Sequence, residues 1–289
     1  MEKTALILGS NGGFGGAVAQ ELQARGWTVR PFRRGSDMQD AAQGVDLIVN
    51  GLNPPNYHNW AEIIPAITRQ VIAAARQSGA RVLVPGKVYV FGDQPGSWSS
   101  QTPHRPNSRK GAIRAKMEAD YRDFVRDHGG RVLILRGGDF LGVQRSLAFH
   151  KVLLKDIASG KFTLMGNSAA KRAWAWLPDM ARAAVDLIEM PDLSDFADLS
   201  FPGYTASQSD LALICEAQMG RPLRRSPFPE WILPLAAPFW ELARELREMM
   251  YLWHDDHGLS DAEFRAVLLG FAPTPLPEAM RQMLAVHGL

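Results

Sequence analysis

Thr4-Ala-Leu-Ile-Leu8-Gly9-Ser-Asn-Gly12-Gly-Phe-Gly15-Gly-Ala-Val-Ala-Gln-Glu-Leu22 decides how the chain folds. Thr4–Leu8 is a short apolar run that reads as a strand, and Gly13–Arg25 follows as a helix. Glycine at 9 permits the tight turn between them, Gly12 lets backbone approach a pyrophosphate, and Gly15 lets helix pack on strand. The helix start then offers unpaired N–H groups to phosphate charge. A glycine-rich turn alone is ordinary loop; the strand before and the helix after make it a dinucleotide signal. Gly9, Asn11, Gly12, Gly13, Phe14 and Gly15 are the expected contacts.

Outward from this turn, short β-branched runs alternate with helical patterns. Strands are predicted over Trp27–Phe32, Val45–Leu52, Arg81–Pro85 and Arg131–Arg136, with helices over Trp60–Gly79 and Ala112–His128. That alternation predicts an α/β fold, a doubly wound Rossmann parallel sheet covered by helices. Residues 1–142 form the expected NAD(P)-binding domain, with 170–190 returning to it. Residues 143–289 form a smaller, mainly helical substrate region, with helices over Leu147–Ser159, Asp179–Glu189, Asp210–Met219, Trp240–Trp253, Asp261–Leu268 and Pro277–Val286. Asp93–Arg109 is a long loop rich in Pro, Ser, Gln and Gly, a length more often functional than idle.

Composition narrows the function. With 46% apolar and 21% charged residues, 289 residues can bury a core, which excludes wholesale disorder. A net charge of +2 argues against a nucleic-acid partner, which calls for a basic stripe. The single cysteine, Cys215, excludes an internal disulfide. No basic leader with a long apolar stretch precedes Ala5, and Trp231–Trp240 falls short of a bilayer span. The expectation is a soluble, cytoplasmic protein with a small-molecule substrate, no membrane partner and a possible homodimer.

The second strand ends in Phe32-Arg33-Arg34. A carboxylate there would suit the ribose hydroxyls of NAD, whereas guanidinium suits a 2′-phosphate. NADP is favoured over NAD, which stays possible.

With these residues in place the sequence resembles the short-chain dehydrogenase/reductase superfamily, in its extended or atypical branch of epimerases and dehydratases. Gly9-x-x-Gly12-x-x-Gly15 has that branch's spacing, and Asp37-Met38 resembles the segment beside the adenine. Gly51-Leu52-Asn53-Pro54-Pro55 follows the strand flanking the cofactor, which adds Leu52, Asn53 and Pro54 to the expected contacts. Val90-Phe-Gly92, Arg136-Gly-Gly-Asp-Phe-Leu-Gly142 and Trp176-Leu-Pro-Asp179-Met-Ala181 resemble three further family segments. Arg34 to Asp37 is short, so the usual third strand is expected to be truncated or missing.

The resemblance implies a Ser/Thr and a Tyr-x-x-x-Lys, and here the match fails. Counting from Gly92 puts Lys87 at the Ser/Thr position; aligning Gly111 and Glu118 puts Lys110 at the Tyr and Arg114 at the Lys. No tyrosine is followed by lysine four residues on. Arg114 could bind ribose hydroxyls but cannot shuttle a proton. Lys110 could do so if neighbouring cations and burial lowered its pKa from about 10.4. Tyr89 is a substitute donor or a core phenol. The alternative is that these cations bind an anion or face solvent.

Other residues have plainer readings. Asp139 and Phe140 fall where the family borders the nicotinamide, and Trp174 and Trp176 alternate on a strand as core first. His254-Asp-Asp-His257 has ligand-type side chains without a third partner, so no metal is expected. Trp231–Trp240 lines a cleft, covers the core or forms a dimer face. The expected function is an NAD(P)-dependent oxidoreductase or epimerase/dehydratase-like enzyme with a nonstandard site. The rival is a noncatalytic NADP-binding sensor or interaction protein.

Overall fold

In the structure, a computed structural model describing residues 3–289, successive strand residues feed two different layers. Ala5 and Ile7 enter one apolar cluster, Leu6 and Leu8 the other, as a strand buried on both faces requires. The strands are β1 (Thr4–Leu8), β2 (Thr28–Pro31), β3 (Leu47–Asn50), β4 (Arg81–Lys87), β5 (Arg131–Gly137) and β6 (Phe196–Ser200). They form one parallel sheet in the order β6-β5-β4-β3-β1-β2.

Four helices cover it: α1 (Gly13–Ala24), α2 (Trp60–Ser78), α3 (Arg109–His128) and α4 (Leu177–Glu189). Phe14, Val18 and Leu22 of α1 join Met180, Ala184 and Leu187 of α4 on one face. Trp60, Ile64 and Val71 of α2 join Met117, Tyr121 and Phe124 of α3 on the other. The doubly wound expectation holds; of residues 170–190, helix α4 packs beside α1 on the large sheet, while Lys171–Trp176 belongs to a separate small sheet. The chain leaves β1 for one face and β3 for the other, so a crevice opens between their C-terminal ends.

Among the described residues no strand lies outside β2. Asp37 starts a short helix, Met38–Ala41, at once, its carboxylate accepting from the N–H groups of Gln39 (2.8 Å) and Asp40 (3.0 Å). The edge strand β6 carries no sequence signal, because Asp195 and Asp198 interrupt its apolar run. Arginines fix it instead: Arg81 donates to the carbonyls of Ser194 and Leu193, and Arg136 pairs with Asp198 at 2.7 Å.

The C-terminal half holds its expected helices with small sheets between them. Asp139–Leu141, Lys171–Trp176 and Tyr204–Ser207 make one, and Lys161–Leu164 pairs with Arg224–Pro227. Trp174 and Trp176 are buried core residues. The helix expected over Leu147–Ser159 is only Ala148–Val152 and a turn at Ile157–Ser159. Burying Leu154, Ile157 and Phe162 together requires the chain to reverse, which Gly160 permits at φ 77°. Trp240–Trp253 is broken into α5 (Glu241–Met249) and Tyr251–His254. Among the described residues no helix is long and apolar enough to cross a membrane.

Candidate active site

The glycine turn is closed so tightly that side chains would not fit. A Cβ on Gly15 would lie 2.5 Å from the Gly9 carbonyl oxygen, and one on Gly9, itself at φ 81°, would lie 2.8 Å from that of Gly51. Gly12 N–H donates to the Gly9 carbonyl at 2.9 Å. Helix α1 has no side-chain cap, whereas Ser108 caps α3, so its first N–H groups are left for an anion. Asn11 and Gly12 are exposed, Gly13 half-buried and Phe14 buried. This cradle fits a dinucleotide diphosphate.

Arg33 and Arg34 extend exposed from the end of β2. Ser36–Gln39 and Arg69 line an adjoining cavity of about 260 Å³, with Met38 buried beneath it. Of the residues after β3, Leu52 is half-buried and Pro54 buried, while Asn53 accepts a hydrogen bond from Arg114 at 2.8 Å.

The four nonstandard positions separate into two environments. Lys87 is half-buried at the end of β4, its Nζ 3.1 Å above the Phe140 ring. It has no ion pair among the described residues. Burial pulls its pKa down to about 7; Asp139 opposes this and Arg114 adds to it. Tyr89 sits on the turn Val88–Phe91, its hydroxyl 3.4 Å from that of Tyr57, and burial pushes its phenol well above the ordinary value. Arg114 is buried, lies 4.9 Å over the Trp60 ring and is lowered by the same desolvation.

Lys110 faces elsewhere. It is 2% exposed, and its ammonium pairs with Glu245 and, at 2.6 Å, with Glu248 of α5. Arg109 reaches both carboxylates too, and His58 pairs with Glu241 at 2.9 Å. Helix α5 is thereby strapped over the Tyr position by one face carrying Glu241, Glu245 and Glu248.

Residues 59–196 match the NAD dependent epimerase/dehydratase family. The resemblance carried by the sequence motifs is thereby borne out. The match includes positions 87, 110 and 114, so the matched segment carries cations throughout the expected triad. Curated protein sequences include no match to the chain. Solved structures share the fold. UDP-glucuronic acid 4-epimerase from Bacillus cereus, in complex with NAD, is 15% identical, with 99% of each chain covered and a TM-score of 0.79. UDP-N-acetylglucosamine 4-epimerase from Bacillus cereus is 15% identical, with 100% of each chain covered and a TM-score of 0.77. A UDP-galactose 4-epimerase is 19% identical over 98% of this chain and 99% of its own, with a TM-score of 0.71.

Three residues around these positions escaped the sequence reading. Tyr57 meets Tyr89, and its ring lies 5.2 Å from Lys110 Nζ. It holds a left-handed backbone (φ 61°), as do Asn56 and Asn59, a conformation that costs a non-glycine residue about 1–3 kcal/mol and leaves no pattern in sequence. Glu245 and Glu248 could have been suspected from the i, i+4, i+7 spacing with Glu241, but not their partner.

The remaining polar groups serve the frame. Asp139 pairs with the buried Arg172 at 3.3 Å. His254 bonds Glu230, while His257 stacks on Trp98 at 5.2 Å and burial lowers it to about 4. His104, Glu118 and Asp198 converge, but Arg136 occupies both Glu118 oxygens and one of Asp198.

Proposed function

We propose that the chain is an NADP-binding oxidoreductase or epimerase-like enzyme of the epimerase/dehydratase type, acting on a small carbonyl, alcohol or sugar-type substrate. The uncapped start of α1, reached by a turn that admits only glycine, is the observation that carries this reading. Residues 1–142 with 170–190 hold the cofactor, and 143–289 close over the substrate. Arg33 and Arg34, exposed beyond β2, supply guanidinium for a 2′-phosphate. A nicotinamide dinucleotide, when bound, supplies a hydride donor or acceptor.

The chain's own contribution is proton handling. Lys87, drawn to about 7, is poised to hold or release a proton near neutrality, and the Tyr89 hydroxyl can donate one. The Lys110 ammonium is held by Glu245 and Glu248, so proton transfer falls to Lys87 and Tyr89. Arg114 stays a fixed charge that orients Asn53.

The test is titration with NADPH and NADH, followed by an oxidation screen over diverse carbonyls. Tighter binding of NADPH and turnover of some carbonyl are expected; absence of binding by either dinucleotide overturns the reading. The α5 strap over Lys110 favours a second reading, a noncatalytic NADP sensor. Tight NADPH binding with no turnover across the panel selects it.

A further inference from the structure

We propose that Lys87 is a carbonyl-capturing lysine that forms an imine with a small aldehyde or ketone entering the cleft. The inference lies in the same cleft as the proposed function but rests on Lys87 and its surroundings alone, not on a bound dinucleotide.

Lysines in folded proteins usually find a carboxylate; this one forms no ion pair among the described residues. Its ammonium lies 3.1 Å over the face of Phe140. A ring face attracts a cation but accepts no ordinary hydrogen bond. The charged groups facing Lys87 are Asp139, which favours the ammonium, and Arg114, which disfavours it. Neither forms an ion pair with it, whereas Lys110 has two. Burial with a nearby cation is the setting that frees an amine for nucleophilic attack. The neutral form is well populated near neutrality, with the pKa drawn to about 7.

Lys87 ends β4 at the C-terminal edge of the sheet, and the residue as a whole is half-buried. Two residues on, Tyr89 carries a phenol 3.4 Å from that of Tyr57, which burial keeps protonated and able to donate a hydrogen bond. The chemistry is self-contained. The Nζ lone pair forms a bond to the carbonyl carbon, and the carbonyl π electrons move to oxygen, which is protonated as nitrogen loses a proton. The carbinolamine then expels water, and the C=N bond forms. One carbonyl and one amine give one imine and one water, with no oxidant or reductant.

The experiment uses the full chain without dinucleotide, exposed to propanal with sodium cyanoborohydride to trap imines, and read by peptide mass spectrometry. At pH 7, Lys87 is expected to gain a propyl group roughly tenfold or more faster than the exposed Lys155. Its rate should reach half-maximum near pH 7. Tyr89→Phe should slow trapping at Lys87 while leaving that midpoint in place. Labelling of Lys87 no faster than Lys155 in protein shown folded by circular dichroism overturns the proposal, as does a midpoint near 10. NADPH titration of the same sample separates the two readings. Binding without preferential trapping removes only the imine, and trapping without binding removes only the dinucleotide enzyme.

Discussion

At the scale of single residues, burial decides what each cation can do. Lys87 is charged in the unfolded chain up to about pH 10.4 but only to about pH 7 when folded. Between those values the unfolded state binds more protons, so this group makes stability rise with pH across that window. Below pH 7 both states are charged and the full penalty of burying the ammonium remains. Lys87→Met is therefore expected to raise Tm most at pH 7 and below, with the gain fading towards pH 10; scanning calorimetry across this range checks it. Gly15 is limited by space rather than charge. Because a Cβ there would lie 2.5 Å from the Gly9 carbonyl, Gly15→Ala should lose about 1–3 kcal/mol in urea unfolding and weaken NADPH binding in the same preparation.

At the scale of elements, the decisive feature is α5 strapped to the start of α3. Removing both carboxylates with Glu245→Gln and Glu248→Gln leaves Lys110 buried without a counter-charge. Urea denaturation should then show a loss of about 3–5 kcal/mol. Adding Lys110→Met to that pair should restore most of it, since no uncompensated charge remains. The helices themselves were legible: Trp60–Ser78 and Arg109–His128 carry the periodicity and glycine stops that mark such elements. The strap was not. Lys110 and Glu248 are 138 residues apart, and no local rule joins a helix start to a carboxylate at that distance. Nor does periodicity mark β6, whose aspartate needs an arginine from β5 to be tolerated at all.

At the scale of the molecule, cofactor binding should register as global stability, because the cradle exists only in the folded sheet. NADPH at one hundred times its Kd should stabilise by about 2.7 kcal/mol. Arg33→Ala with Arg34→Ala should shrink the Tm rise for NADPH while sparing that for NADH, which has no 2′-phosphate to lose. Equal shifts for both dinucleotides in the unmutated chain would contradict the assignment of these arginines. The Gly9–Gly15 turn follows the C-terminal end of β1, and Lys87 is the C-terminal residue of β4.

What the amino-acid order determined by itself was everything set by near neighbours. It specified the strand, turn and helix around Gly9–Gly15, the arginine pair after β2, the short link that omits a third strand, and the lack of a Tyr-x-x-x-Lys. What only the tertiary structure decided was which of those cations is free. Lys87 and Lys110 are alike in sequence, but one meets a ring face and the other two carboxylates. Ionisation depends on burial and on charges within a few ångströms, and the fold, not the local sequence, chooses those neighbours.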